Sequence, residues 1–254
     1  MTAAPEGSSS EVPQRRPIRD IPIAAAGLGH GEMNRRARLA LATLSIGIAA
    51  MLGSNDAPAQ NATTRIDIAA MPPGTAPPGF TFARTGSGAA GEWLVVADPG
   101  AAAQKTIAQT SRDTTDYRFP LAVYEPISAK NVDVAVRFKA VAGTVDQAAG
   151  IAIRLVSPDD YYVVRANALE DNVRFYRVVK GRREELKGAN TEVAAGQWHT
   201  LGLRAEGERF TVSFDGKALY TAEDKTLANA GKVALWTKAD SVTHFDTISI
   251  TPLD

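Results

Sequence analysis

The chain has 254 residues, a formal net charge of zero and no cysteine. Its length is sufficient for one sizeable domain, and its balance of 28 basic and 28 acidic residues lacks the positive excess of a nucleic-acid-binding protein. The lack of cysteine excludes disulfide bonds, thiolate nucleophiles and cysteine-based zinc sites.

The first 59 residues have the composition of a targeting segment rather than of a folded domain. Residues 1–32 are rich in Ser, Pro, Gly and Arg and precede a second methionine, so they are either a disordered extension or a misassigned start. Residues 33–59 combine basic residues, an apolar run at 39–52 and small residues up to Ala59, which predicts a signal peptide. The alternative is an uncleaved anchor, although the apolar run is short for a membrane span. In both cases we expect an exported domain, periplasmic or secreted.

The remainder of the chain is predicted as a lead-in followed by short strands. Residues 60–79 are rich in Pro, Ala and Gly and predict a linker or an irregular lead-in. From Phe80 onward, β-rich runs alternate with turn signals about every ten residues, as in a β-sandwich. In the run 132–139 the valines and Phe138 alternate with other residues that are mostly polar. One face of this strand is therefore expected to lie in the core and the other to face solvent.

Turn signals divide the second half into hairpins. Polar turns occur at 157–160 and 170–172, and Asp215-Gly216 has the composition of a two-residue type I′ turn. Neither an internal repeat nor a second domain is indicated. The sequence therefore predicts an all-β, two-sheet antiparallel jelly-roll sandwich over residues 80–254.

Four sequence blocks occur in the order found in one known family. They span residues 160–167, 196–201, 214–217 and 231–246 and include Trp198-His199-Thr200-Leu201 and Phe214-Asp215-Gly216. From Trp93 to the C-terminus the chain resembles the 3-keto-disaccharide hydrolase domain family of the concanavalin A-like superfamily, with laminin-G-like domains as the nearest group of the same sandwich. The resemblance implies a concanavalin A-like fold and glycoside hydrolysis as the activity.

A set of polar and aromatic residues is expected on the concave face of one sheet, opposite the core. Aromatic rings can stack on sugar C–H groups, and Arg and Asn can hydrogen-bond to sugar hydroxyls. An ordinary solvated sheet face is the alternative. The predicted ligand-binding residues are Arg154, Tyr161, Arg165, Asn167, Arg174, Trp236 and Lys238.

Catalytic groups are less evident in the sequence. A strand with three alternating carboxylates, as in Glu-x-Asp-x-Glu, is absent, and adjacent acidic pairs such as Glu170-Asp171 fall in predicted turns. Asp240, His244 and Asp246 are candidates for an acid–base or metal site, although Asp246 is equally suited to accept backbone N–H bonds.

Two further kinds of residue are predicted to be structural. His199 alternates with leucines and is expected to lie inward as a core histidine. Trp93 and Trp198 fall among apolar strand residues and are expected to pack in the core or at a sheet edge.

The sequence therefore predicts an exported domain that binds a glycan or small carbohydrate, with glycoside hydrolysis left open. The alternative is a non-catalytic, lectin-like or envelope interaction module. No cofactor is expected, with a structural calcium ion left open. We expect neither a nucleic-acid partner nor a membrane span in the mature chain, and the sequence gives no indication of the oligomeric state.

Overall fold

The computed structural model describes residues 62–253, so the predicted extension (1–32) and signal peptide (33–59) lie outside the described residues. The described chain forms 15 β-strands and one short 3₁₀ helix, Ile68–Ala70. In this part of the chain, no helix combines the length and apolarity needed to cross a bilayer.

The strands make two antiparallel sheets. In chain order they are β1 (Thr64–Arg65), β2 (Phe80–Gly86), β3 (Trp93–Ala97), β4 (Lys105–Gln109), β5 (Arg118–Ala129), β6 (Asn131–Ala142), β7 (Ala148–Ser157), β8 (Asp160–Asn167), β9 (Asn172–Val179), β10 (Arg182–Asn190), β11 (Trp198–Glu206), β12 (Arg209–Phe214), β13 (Lys217–Glu223), β14 (Gly231–Trp236) and β15 (Val242–Leu253). The eight-stranded sheet has the order β13-β12-β11-β6-β15-β4-β3, with β1 paired to β15. The seven-stranded sheet has the order β10-β9-β8-β7-β14-β5-β2. This topology confirms the predicted jelly-roll sandwich.

The main core lies between the two sheets. Strand β6 shows how alternating side chains build this core. Its inward-facing residues are all at most 1% exposed, while the residues between them are partly exposed. The inward-facing residues are Val132, Val134, Val136 and Phe138. This alternation is the one predicted from the sequence, and it places every second β6 side chain on the outer face of the eight-stranded sheet.

Tight turns set the register of the hairpins. Asp215 and Gly216 both have positive φ, 47° and 75°, and connect β12 to β13 through the predicted two-residue type I′ turn. His199 packs beside this hairpin at the border of the core, with its ring stacked on Phe214 at 5.0 Å and its Nδ1 atom 2.8 Å from the Asp215 carboxylate.

The segment 62–79 belongs to the sandwich, so the prediction of a linker is wrong for its described part. Thr64 pairs with Ile250 of β15 in the eight-stranded sheet. Ile68 and Met71 are 3% and 6% exposed and join the main core. The proline and glycine content indicated an irregular path correctly, but it gave no sign of these two buried anchors.

Candidate functional site

A second apolar layer covers the outer face of the seven-stranded sheet. It consists of Phe119, Leu121, Val123, Ala148, Ala152, Leu155, Tyr161, Val163, Tyr176, Val178, Ala234 and Trp236, all from strands of this sheet. Strand β8 shows how both faces become buried: Tyr162 and Val164 point into the main core, whereas Tyr161 and Val163 point into this outer layer.

The two aromatic residues predicted as sugar platforms lie inside this layer. Tyr161 and Trp236 are both 0% exposed. Trp236 stacks on Phe119 with ring centroids 5.3 Å apart, and its Nε1–H donates to the Tyr161 hydroxyl at 3.3 Å. The Tyr161 hydroxyl also lies 2.8 Å from Thr85 Oγ1. The prediction that they present open ring faces is therefore wrong.

Arg183 of β10 closes this aromatic layer from outside. Its guanidinium carbon lies 4.5 Å from the Tyr176 ring centroid and 4.8 Å from that of Phe119. Its Nη1 atom is buried and has no hydrogen-bond partner among the described residues. The Arg183 backbone N–H donates to the Tyr117 hydroxyl at 3.0 Å, and this hydroxyl donates to the Gly181 carbonyl at 2.9 Å. These bonds hold the β9–β10 turn over the rings.

Arg154 does not belong to the predicted binding face. Its φ of 50° places a bulge in β7, which reverses the side-chain alternation, and the residue is 1% exposed. The guanidinium donates to the carbonyls of Lys130 at 2.8 Å and Leu227 at 3.0 Å, and also to that of Gly207. Arg154 therefore ties three connecting segments to the sheet.

The polar end of the same face contains a hydrogen-bonded cluster, here named the Arg165 network, of Arg165, Glu170, Asn172 and Tyr176. The Arg165 Nη2 group donates to Glu170 Oε2 at 2.7 Å and to the Tyr176 hydroxyl at 3.1 Å, while its Nη1 group donates to Asn172 Oδ1. Asn172 in turn donates to Glu170 at 3.0 Å. Burial opposes ionisation of Glu170, but the bonds from Asn172 and Arg165 outweigh it and lower its pKa.

A second cluster, the Lys238 ion network, adjoins through Asn167. Lys238 Nζ lies 2.7 Å from carboxylate oxygens of both Asp116 and Asp146. Asn167 donates to the other Asp146 oxygen at 2.8 Å. Burial raises the pKa of Asp146, which is 1% exposed, although Lys238 favours its ionised form. Both Asp146 oxygens are therefore engaged within the fold.

Arg174 extends this surface toward the sheet edge. Strand pairing places it opposite Arg165, and its Nη2 group donates to Asn190 Oδ1 at 2.8 Å. Its side chain crosses Gly188, where an added Cβ would lie 2.3 Å from Arg174 Cδ. The Arg174 side chain remains 23% exposed and the Glu170 side chain 45% exposed. Of the seven predicted ligand residues, the structure thus groups Arg165, Asn167, Arg174 and Lys238 at one end of the face.

Asp240, His244 and Asp246 do not form one acid–base or metal site. Asp240 accepts bonds from the backbone N–H groups of Thr144 at 2.7 Å and Asp146 at 3.0 Å, and these bonds lower its pKa against the opposing effect of burial. Asp240 thus fixes the β6–β7 loop that carries Asp146. Across residues 62–253, no group of three or more His, Asp or Glu side chains is arranged to hold a metal ion.

His244 and Asp246 lie on the outer face of the eight-stranded sheet, on either side of the buried Phe245. His244 Nδ1 is 2.7 Å from Asp98 Oδ2. Asp246 pairs with Arg137 at 2.7 Å and accepts the Ala102 backbone N–H at 2.8 Å. The structural role weighed for Asp246 agrees with this geometry.

Sequence reasoning missed Asp116, Asp146 and Arg183 and assigned Glu170 only to a turn. The turn position of Glu170 is correct, but the hairpin returns the chain so that Glu170 meets Arg165, five residues earlier. An Arg and a Glu on either side of a predicted hairpin turn were a signal for this pair.

Comparison with known proteins assigns the family. The model of the galactocerebrosidase C-terminal lectin domain matches residues 116–253, which include every member of the Arg165 network and of the Lys238 ion network. The chain belongs to this family of lectin domains. No match was found among curated protein sequences.

Comparison with solved structures finds sandwiches similar to this chain. The carbohydrate-binding module CBM66 of Bacillus subtilis superposes with a TM-score of 0.53 at 17% identity, over 67% of this chain and 94% of the module. The β-glucanase of Bacillus licheniformis has a TM-score of 0.49 at 14% identity, over 76% of this chain and 99% of the enzyme. The galectin LEC-6 of Caenorhabditis elegans has a TM-score of 0.40 at 13% identity, over 48% of this chain and 84% of the galectin. At 17% identity, the likeness to CBM66 shows the sandwich fold alone.

Proposed function

We propose that this lectin-like domain is a glycan-binding module and that its ligand binds at the Arg165 network. The main support for this site is the exposure of Glu170. Its carboxylate is charged, its side chain is 45% exposed, and Arg165 and Asn172 hold it in place. Sugar hydroxyls both donate and accept hydrogen bonds, so a fixed carboxylate beside guanidinium groups suits them. Arg174, also partly exposed, adds donors on the same face.

The module is proposed to act after export, in the periplasm or outside the cell. The support is the sequence pattern of residues 33–59, in which basic residues precede an apolar run and small residues. N-terminal sequencing of the protein recovered from the secreting host tests this. A mature chain that begins at Gln60 is the expected result, and a chain retained in the cytoplasm with Met33 intact would contradict it.

Binding without cleavage fits the state of two carboxylates, Asp146 and Asp240. The two oxygens of Asp146 are engaged by Lys238 and Asn167, and Asp240 is engaged by backbone N–H groups. A general acid needs a proton free to pass to the leaving oxygen, and a general base needs a free lone pair near water. Neither carboxylate has this freedom in the folded chain.

Hydrolysis of a 3-keto-disaccharide is the second candidate function, and one observation favours it. Burial raises the pKa of Asp146, whereas hydrogen bonds lower that of Glu170, and the two residues belong to adjoining clusters. A pair of carboxyl groups with pKa values moved in opposite directions is the arrangement used to protonate a glycosidic oxygen and to activate water. Under this alternative, Asp146 is the acid and Glu170 the carboxylate.

One pair of variants tests the binding site. Glu170→Gln removes the exposed charge and keeps the side-chain shape, and Glu184→Gln is its matched control because Glu184 is also an exposed partner of an arginine, Arg177. On a glycan array with the full chain, we expect Glu170→Gln to bind about tenfold more weakly, and Glu184→Gln to bind like the unmodified chain. Equal binding by both variants would contradict the site.

Turnover separates the two candidate functions. The full chain is incubated with 3-keto-glucosides, and release of the reducing sugar is measured beside Asp146→Asn. Binding without release supports the module. Release that Asp146→Asn abolishes while glycan binding persists would establish the hydrolase instead.

A further inference from the structure

A second cluster of aromatic and polar side chains lies on the outer face of the eight-stranded sheet. Cross-strand pairing places Trp198 of β11 opposite Lys139 of β6, and Lys139 opposite His244 of β15. Arg137, two residues before Lys139, lies opposite Asp246. We name this set of five residues the Trp198 surface. It is separated from the Arg165 network by the whole sandwich.

Trp198 differs from the other two tryptophans in its exposure. Trp93 is 3% exposed and Trp236 is 0% exposed, whereas Trp198 is only partly buried. The Arg137 guanidinium lies 4.3 Å and the Lys139 ammonium 4.9 Å from the Trp198 ring centroid. These cation–π contacts hold an indole in place at a solvent-accessible position.

The polar groups beside the indole are also fixed. Lys139 pairs with Asp98 at 2.5 Å and Arg137 with Asp246 at 2.7 Å. His244 bonds to the same Asp98 carboxylate, and burial lowers the pKa of the His244 ring, which favours its neutral form. The side chains of Arg137, Lys139 and His244 are 31%, 18% and 16% exposed, so ligand hydroxyls can reach them.

The β3–β4 loop forms a wall beside the ring. Gly100 of this loop lies so close that an added Cβ would be 3.1 Å from Trp198 Nε1. Asp98, at the start of the loop, accepts the Gly100 backbone N–H at 3.0 Å. The loop is thus fixed by the carboxylate that orients Lys139 and His244. The surface combines a flat apolar ring, a wall and pre-positioned polar groups.

The charges of this surface define the class of ligand. Each cation has a carboxylate partner, so the charges of the pairs Arg137–Asp246 and Lys139–Asp98 cancel. An anionic group would have to displace one of these carboxylates, at a cost in pairing energy. Neutral hydroxyl groups can instead accept from the remaining N–H groups without breaking a pair.

We infer that the Trp198 surface is a second glycan-binding site and that it takes a neutral pyranose. The sugar stacks its C–H face on the exposed part of the Trp198 indole and accepts hydrogen bonds from Arg137 and Lys139. The inference does not rest on the Arg165 network. With both sites occupied, the domain holds two glycan chains on opposite faces.

Acrylamide quenching of tryptophan fluorescence tests this site in the full chain, because Trp198 is partly exposed whereas Trp93 and Trp236 are buried. The probes are neutral oligosaccharides of glucose, galactose and mannose, with the corresponding uronate oligosaccharides beside them. We expect a neutral oligosaccharide to protect Trp198 from acrylamide and the uronates to protect it at least about tenfold less well.

Two arginine variants on the same sheet face make the test specific. Arg137→Gln removes a donor of the Trp198 surface, and Arg204→Gln is its matched control because Arg204 is a partly exposed arginine paired with Asp133 and Glu206. We expect Arg137→Gln to weaken protection about tenfold and Arg204→Gln to leave it unchanged. Far-ultraviolet circular dichroism confirms that both variants fold.

The Glu170→Gln variant shows whether protection of Trp198 is independent of the Arg165 network. Protection that persists in Glu170→Gln supports a site independent of the Arg165 network, even if binding at that network fails. If no neutral oligosaccharide protects Trp198, the inference is overturned. Protection lost in Glu170→Gln but kept in Arg137→Gln would also overturn it, because the signal would then arise from the opposite face.

Discussion

The outer faces of the two sheets share the same strand alternation but differ in what covers them. The face of the seven-stranded sheet carries an apolar layer in which Trp236 is 0% exposed, closed by Arg183 and the Tyr117 hydroxyl. The face of the eight-stranded sheet carries paired charges around the partly exposed Trp198. An outward-pointing aromatic residue therefore stays accessible to solvent only if no other segment folds over it.

The outer face of the seven-stranded sheet shows the same contrast at shorter range. Trp236 and Arg165 lie on this face, on either side of Gly150 of β7. The Trp236 indole is fully covered, whereas the Arg165 network keeps an exposed carboxylate at Glu170. A charged group is costly to bury without full pairing, which agrees with the exposure of this carboxylate.

The largest effect is expected at Trp236. Trp236→Ala removes a fully buried ring stacked on Phe119 and should lower the free energy of unfolding by about 4 kcal/mol. Trp198→Ala is the matched control and should cost less than about 1 kcal/mol, since it removes only partly exposed contacts. Urea denaturation measures both. Similar losses of unfolding free energy for the two variants would contradict the difference in burial between Trp236 and Trp198.

Arg154→Ala should be the next most destabilising change. It leaves the carbonyls of Lys130, Gly207 and Leu227 without their buried donor, and we expect a loss of about 3 kcal/mol. Arg204→Ala, which removes an arginine that is 41% exposed, should cost about 0.5 kcal/mol. Glycan binding by Arg154→Ala, measured below its unfolding transition, should be unchanged. Loss of glycan binding in the folded variant would indicate that Arg154 contributes to the ligand site.

Asp98 should stabilise the fold in a pH-dependent way. Burial opposes its ionisation, but the bonds from Lys139 and His244 prevail and lower its pKa from 3.8 to about 2. Its folded pKa is below the unfolded value, so its contribution is present above pH 3.8 and is lost as the pH falls toward 2. Compared with Asp98→Asn, the unmodified chain should lose about 1 kcal/mol over this interval, allowing for solvent screening. A constant difference between the two chains would contradict the Asp98 pairing.

Asp146 should show the opposite slope. Burial raises its folded pKa above the ordinary 3.8, so the native state holds the proton more tightly than the unfolded state. Stability contributed by the protonated form is present at low pH and is lost as the pH rises through the raised value. Asp146→Asn should abolish this fall in unfolding free energy. The same denaturation series measures it, and a fall retained in the variant would assign the titration to another group.

The smallest effect on affinity and stability is expected at Gly188. Gly188→Ala places a Cβ 2.3 Å from the present position of Arg174 Cδ, so the flexible Arg174 side chain must move off the face. We expect glycan affinity to fall by a few-fold and stability to change by less than about 1 kcal/mol. Arg174→Gln should produce a similar loss of affinity. Unaltered affinity in both variants would exclude Arg174 from the binding surface.

The sequence allowed the sandwich to be predicted because its signals are local. The alternation in 132–139 and the Asp215-Gly216 turn depend on neighbouring residues only, and the structure confirms both. The burial of Trp236 depends on Tyr117 and on Arg183, which are distant in sequence, so no local pattern indicated it. The reversal at Arg154 follows from a positive φ that a non-glycine residue rarely adopts.

The candidate site was predicted only in part for the same reason. Arg165 and Arg174 were found because they alternate with apolar residues on paired strands. Asp146 was not found because it lies in a loop whose conformation is fixed by Asp240, which is 94 positions away. Glycan contacts that depend on such long-range loop positions cannot be read from strand alternation.

The most direct test of the account is a chemical-shift map of the full chain titrated with a glycan that it binds. We predict that the backbone amides around Glu170 and Asn172 shift while the indole N–H signals of Trp93 and Trp236 stay fixed, because both rings are buried. A shift of the Trp236 indole signal, with the amides near Glu170 unmoved, would contradict the central claim and place the ligand on the aromatic layer instead.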